Sequence, residues 1–209
     1  MAHLVEGNRS SVWAGGASPY AIGSKKLGMW LFIVSDSLTF GALLMAYSYL
    51  RMASPAWPTP FEVWPAIAFA SLMTAFLLSS SLTMVFAVAA AHRLERRRAV
   101  RFLILTILGG LGFIVLHLRE WLHLIHDGVR PFSNPWGTPL FGATFFGLTG
   151  LHMTHVAIGV IYLGIIAFGF GKGKFTPEDV EVSGLYWHFV DLVWMFIFPL
   201  VYLMSVHRG

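Results

Sequence analysis

Apolar residues fall into five long runs, at roughly 27–49, 64–91, 99–125, 138–170 and 184–206. A helix needs about 20 mostly apolar residues to cross the hydrocarbon of a bilayer, and each run meets that length. The second and fourth runs exceed it, which predicts tilt or extension past the hydrocarbon. Polar connections separate the runs. Residues 50–63 carry Pro55, Pro58 and Pro60 and read as an extended loop. Residues 92–98 (HRLERRR) read as a short basic hairpin. Residues 126–137 are turn-rich, with Gly128, Pro131 and Pro135 as breakers. Residues 171–183 are polar, and Pro177 opens the turn before the last run. Only helices and closed barrels satisfy the backbone in lipid, so the pattern predicts an all-α integral membrane bundle of five transmembrane helices. The first 26 residues read as a cytoplasmic N-terminal tail and residues 27–209 as one membrane domain. No internal repeat, low-complexity run or second domain interrupts that plan.

Composition and charge then sharpen the picture. The chain has 209 residues, 56% of them apolar and only 11% charged. A soluble domain carries about 25% charged residues, so lipid is the expected solvent. Ten basic residues lie in the N-terminal tail and in the second and fourth connections or their edges, among them Arg96, Arg97 and Arg98. Arg51, Arg130 and Arg208 lie on the other side. Positive residues stay inside, which predicts a cytoplasmic N-terminus and an outer C-terminus. The net charge of +4 is therefore a topology signal and no nucleic-acid footprint. The tail has no continuous apolar core, so a cleavable signal peptide is not expected. Cysteine is absent, which excludes disulfides, iron–sulfur clusters and thiolate chemistry. Trp30, Trp64, Trp121, Trp136 and Trp187 fall near run ends, where indole rings favour the interface.

Ionisable groups inside a span are costly and mark candidate sites. Asp36 and Asp191 fall at similar depth in the cytoplasmic halves of the first and last helices. Glu120 falls towards the outer end of the third, beside Arg119 and near His117, His123 and His126. Two roles stand open for the acids. They are packing groups, with Ser35, Ser37 and Thr39 serving Asp36 and His188 serving Asp191 at i,i+3, or they handle protons. Thr149, His152 and His155 form a stripe on the fourth helix. A b-type haem needs two facing histidines, which His152 and His188 would have to supply. Bulky Phe, Trp and Met flank both positions. Glu120 and His123 make one Glu-x-x-His, whereas a di-iron bundle needs two and further carboxylates. Gly142, Gly147, Gly150, Gly159 and Gly164 predict close helix contact along the fourth helix. Arg96, Arg97 and Arg98 are candidates for anionic lipid head groups as well as topology determinants. Walker loops, nucleophile elbows, HExxH and dinucleotide fingerprints are absent.

Five stretches are similar to one family. They are LGMWLFIVSDSLTFGALLMAYSYLR (27–51), FLLSSSLTMVFAV (76–88), GFIVLHLREWLHLIHDG (112–128), FFGLTGLHMTHVAIG (145–159) and YWHFVDLVWMFIFPLVYL (186–203). In this order they resemble subunit III of haem-copper terminal oxidases, both cytochrome c and quinol oxidases. The resemblance implies a non-catalytic subunit of a bacterial aerobic respiratory chain, a multi-pass protein of the cell inner membrane. Haem and copper would sit in partner subunits, with no cofactor or metal in this chain. The partners would be the catalytic subunit I and subunit II, together with bound phospholipid. The implied role is to stabilise the catalytic subunit, support its proton uptake for proton translocation and prolong its turnover. The family's membrane acid falls on Asp36 and its third-helix Glu on Glu120. Its Thr-Gly-Leu-His-x-x-His stretch falls on Thr149 to His155, and its Trp-His-Phe-Val-Asp on Trp187 to Asp191. The likeness begins at the third helix of the seven-helix mitochondrial form, so the lipid cleft of that form is not carried over. The alternatives are subunit III of a quinol oxidase, a subunit III-like protein of nitric oxide reduction and, in another class, a b-haem electron carrier.

Overall fold

A computed structural model describes residues 23–136 and 138–206. The tail expectation for residues 1–22, with Arg9, and the assignment of Arg208 lie outside the described residues. Five helices follow one another: α1 (Ser24–Ala53), α2 (Ala68–His92), α3 (Arg96–His126), α4 (Pro139–Gly171) and α5 (Pro177–Ile197). A π-helical turn, Val63–Ile67, leads into α2, and another, Phe198–Tyr202, carries α5 on to a 3-10 turn, Leu203–Ser205. All five are long and apolar enough to cross a membrane.

Helix ends run past the apolar runs because polar groups at those ends have helical partners. α1 begins at Ser24 rather than 27, since Lys25 and Lys26 meet Asp179 and Glu181 on the first turns of α5. α5 begins at Pro177, seven residues before the expected start. Thr176 and Asp179 form a capping box around a proline suited to the first helical position. The basic hairpin shrinks to Arg93–Glu95, and Arg96, Arg97 and Arg98 form the first turn of α3. At the end of α2, Glu95 N–H reaches Ala90 O (2.9 Å) and Leu94 N–H reaches Ala91 O (2.9 Å). These are the two bonds of a Schellman close, with Leu94 in the left-handed region at φ 60°. Gly128 and Gly173 close α3 and α4 the same way at φ 87° and 74°.

Close packing concentrates where α2, α3, α4 and α5 meet. The α3 glycines Gly109, Gly110 and Gly112 let Ser80, Trp187 and Phe76 approach; a Cβ there would lie 2.7, 2.5 and 2.8 Å from them. On α4, Gly142, Gly150 and Gly159 face Arg130 O, Trp121 and Trp187, as the small-residue stripe predicts. Gly147 and Gly164 meet nothing within 4 Å, so that stripe is not continuous. Trp187 is fully buried rather than interfacial, and Trp121 is half-buried; Trp30, Trp64 and Trp136 are exposed. α1 buries only Ile33, Phe40 and Tyr47 in the bundle, each seven residues apart.

Candidate functional site

The polar residues singled out from the sequence line the interior at two levels. α1 and α5 run parallel in a fixed register: Lys25 meets Asp179 at 2.6 Å, Lys26 meets Glu181, and Tyr47 Oη and Arg51 Nη1 meet Ser205 Oγ at 3.2 and 3.1 Å. The partners stay 154 to 158 residues apart in sequence, an offset that also places Asp36 level with Asp191. Asp36 lies twelve residues past Ser24, about 18 Å along the helix. Asp191 lies fourteen residues past Pro177, about 21 Å along α5.

Their surroundings differ from the local pairings that spacing predicts. Ser35, Ser37 and Thr39 do not serve Asp36. Their hydroxyls donate to Phe32 O, Ile33 O and Ser35 O of their own helix, which is the shorter reach. Asp36 meets His155 of α4 instead, Oδ2 to Nε2 at 3.2 Å, with both side chains mostly buried (14% and 13% exposed). His155 Nδ1 faces Leu151 O at 2.8 Å, so donation there leaves Nε2 free to accept in the neutral ring, or to donate when protonated. His188 does not pair with Asp191. Its Nδ1 meets Ser81 Oγ of α2 at 2.7 Å, and neither oxygen of the buried Asp191 has a hydrogen bond.

Towards the other end, Glu120 Oε2 accepts the Tyr202 hydroxyl at 2.7 Å. The Arg119 guanidinium lies 5.2 Å from the centre of the Phe69 ring. A cavity of about 540 Å³ opens beside both residues, walled also by Glu62 and His123.

Two histidines occupy the centre. His117 and His152 are fully buried, and no nitrogen of either ring has a hydrogen-bond partner. Thr149, a turn before His152, bonds back to Phe145 O at 2.7 Å. His152 stacks on Trp194 at 5.2 Å, with Phe113 edge-on at 5.6 Å and Phe40 at 6.5 Å. His117 packs on the same Trp194 and Phe113 rings at 5.7 and 5.4 Å. A haem plane needs a ring-sized gap beside its axial ligand. Indole and phenyl rings take that position at His152, and Ser81 holds His188, so these residues do not fit a haem. Among the described residues no group of three His, Asp or Glu is placed to hold a metal ion.

Sequence spacing missed the partners of the indoles. Trp187 Nε1 donates to Ser80 Oγ (3.0 Å) and Trp194 Nε1 to Thr74 Oγ1 (2.9 Å). Seven residues on α5 answer six on α2, an antiparallel ladder of indole and hydroxyl. Its signal was the SSS run at 79–81 opposite two tryptophans a heptad apart. Tyr202 as the partner of Glu120 had no comparable signal.

The family described as cytochrome c oxidase subunit III matches residues 9–206. A quinol oxidase subunit 3 of Bacillus spizizenii is 34% identical over 86% of this chain and 87% of its own length. A cytochrome c oxidase subunit 3 of Alkalihalophilus pseudofirmus is 33% identical over 88% of both chains. One of the same name from the carp Cyprinus carpio is 33% identical over 93% of this chain and 75% of its own. Relatives named for both electron donors match to the same degree, so the likeness is to the subunit rather than to a donor.

Proposed function

The chain belongs to the cytochrome c oxidase subunit III family, and on that premise we propose that it is the non-catalytic subunit III of a bacterial haem-copper oxidase of the cytochrome c type. It binds laterally to the catalytic subunit I, alongside subunit II, in the cell inner membrane. Haem and copper belong to those partners; this chain supplies packing, bound phospholipid and an environment that favours proton uptake. The observation that carries the reading is the meeting of Asp36 with His155 across α1 and α4. Both residues fall on family motifs, they are 119 positions apart, and they join the one sparsely packed helix to the bundle. A carboxylate held against an imidazole inside a span is suited either to fixing helix register or to keeping a proton available beside a partner's uptake path.

The N-terminus lies in the cytoplasm by the same reading, with Arg96, Arg97 and Arg98 at the level of anionic head groups. Arg98 also holds Glu95 at 2.8 Å, which leaves Arg96 and Arg97 as the freer cations. The chain has no cysteine, so Arg97→Cys gives a single label site. Labelling is expected only after the membrane is opened; labelling from outside intact cells contradicts the orientation. The assignment itself is tested by affinity purification of the tagged chain from native membranes, with haem and copper analysis. Two further subunits carrying haem and copper are expected. Stoichiometric haem on this chain alone would reinstate the electron-carrier reading.

A further inference from the structure

Asp191 is 6% exposed, and neither of its carboxyl oxygens has a hydrogen bond among the described residues. On α5 it stands one turn past Trp187 and one turn before Trp194. The hydroxyls that serve those indoles are already committed. Ser80 and Thr74 accept from Trp187 and Trp194 and donate to Leu77 O and Ala70 O of their own helix. α2 carries no titratable residue before His92. On α1 and α4, Asp36 and His155 engage each other, and Tyr186 of α5 donates to His155 O. His117 of α3 and His152 of α4 pack on the Trp194 ring. Lys25 and Lys26 are held by Asp179 and Glu181, twelve and ten residues back along α5, about 18 and 15 Å away. An ionised carboxylate inside a span with neither a cation nor a donor is strongly disfavoured, so the geometry keeps Asp191 in its protonated form.

Ser81 gives that proton a way out. Thr74, Ser80 and Thr83 bond back to carbonyls of α2, whereas Ser81 reaches across to α5, its Oγ 2.7 Å from His188 Nδ1. The same hydroxyl stands beside the Asp191 carboxyl. With His188 neutral and its hydrogen on Nε2, Ser81 donates to Nδ1 and keeps lone pairs for a donor. Protonated Asp191 is that donor, and a carboxylate is not. His188 is only partly buried, and Leu192, one turn further on, is exposed, so the ring reaches the outer surface of the bundle. We propose that Asp191, Ser81 and His188 form a proton relay, which stores a proton on Asp191 and exchanges it with the bundle surface through His188. In release, the Asp191 proton passes to Ser81 Oγ while the Ser81 proton passes to His188 Nδ1. His188 then gives its Nε2 proton to water or to a base on the partner that covers this face. The chain is left pointing the other way: Nδ1–H donates to Ser81, and Ser81 donates to the Asp191 carboxylate. Uptake runs in reverse. The relay requires only that the five helices span a bilayer, so it stands or falls apart from the oxidase assignment.

The test uses the purified complex in lipid vesicles near neutral pH, with infrared spectra recorded in water and after transfer to deuterium oxide. A protonated carboxyl gives a C=O stretch above the amide bands, and that stretch shifts when deuterium replaces the proton. Asp191→Asn is expected to remove one such band, and Asp36→Asn to leave it in place. Ser81→Ala and His188→Phe each keep the band but slow its deuterium shift about a hundredfold, the low end of what a positioned proton-transfer group contributes. Ser81→Thr keeps the hydroxyl and exchanges as the wild type does, which separates proton transfer from packing. The slowed band also moves with isotope-labelled aspartate, which checks the assignment without substituting Asp191. An unchanged set of bands in an Asp191→Asn complex of normal subunit ratio overturns the proposal. So does unslowed exchange in Ser81→Ala and His188→Phe, or a slowed band that labelled aspartate does not move.

Discussion

α1 and α5 lie side by side in parallel, yet the bundle holds them by different means. Half of the most apolar window of α5 is buried against 11% of that of α1. α5 is gripped by shape. The Trp187 ring sits where Gly110 and Gly159 leave room for it, and Trp187 and Trp194 donate to hydroxyls of α2. α1 offers a single heptad line, Ile33, Phe40 and Tyr47, and beside that line stand Asp36 and Arg51. Lipid tails are as apolar as leucine, so an apolar face alone does not tell a helix where to bind. Steric fit decides for α5. For α1 the polar rungs at three depths decide: Lys25 and Lys26, then Asp36, then Arg51, whose Nη2 also donates to Met204 O. A polar group at one seam position fixes register in soluble coiled coils, and the same logic fits here.

The contrast can be broken from either side. Gly110→Leu puts a side chain where a Cβ already falls 2.5 Å from Trp187 and 2.8 Å from Val160. Overpacking of this kind costs about 3 kcal/mol. The expected outcome is loss of the whole subunit from purified complexes, read from the ratio of this chain to the catalytic subunit. Asp36→Leu leaves the bundle intact but removes the middle rung and orphans His155 Nε2. A cross-helix polar contact in a membrane is worth about 1 kcal/mol. Partial loss of the chain, and faster proteolysis at the α1 end, are expected. A variant as stable as wild type would show that the heptad line suffices.

Asp36→Asn sharpens the comparison at the smallest cost in stability, because an amide of the same shape keeps a polar group facing His155 Nε2 while losing the charge. Assembly is expected to be normal. If the pair supports proton uptake, oxygen consumption falls, most at high pH where protons are scarce, across an assay range of about pH 6 to 9. A wild-type pH profile, together with chain loss in Asp36→Leu, would reduce Asp36 to a packing group.

Much of this architecture is legible in the sequence, for a physical reason. The bilayer imposes one length and one solvent, so five apolar runs give five helices. The parallel course of the first and last helices then sets Asp36 and Asp191 level. Helix ends are less legible because they depend on partners. The start of α5 rests on the Thr176–Asp179 capping box inside a stretch that reads as a polar connection, and the start of α1 depends on acids 154 and 155 positions away. Partner choice is least legible. Helical spacing offered His188 to Asp191 and the neighbouring hydroxyls to Asp36. Each hydroxyl turns to its own backbone, and the acid and imidazole reach other helices. That His117 is buried without a hydrogen bond, rather than interfacial, depends on where α3 extends, which the apolar run alone did not fix.

The central claim is that this chain sustains a redox reaction carried out by its partners. Its most direct test is the oxidase purified with and without the chain, followed by reduced-minus-oxidised spectra, metal analysis and oxygen consumption over many turnovers. The account predicts identical haem and copper per catalytic subunit, a similar initial rate, and faster decay of activity in the depleted enzyme that the re-added chain reverses. Haem or copper departing with the chain would contradict it.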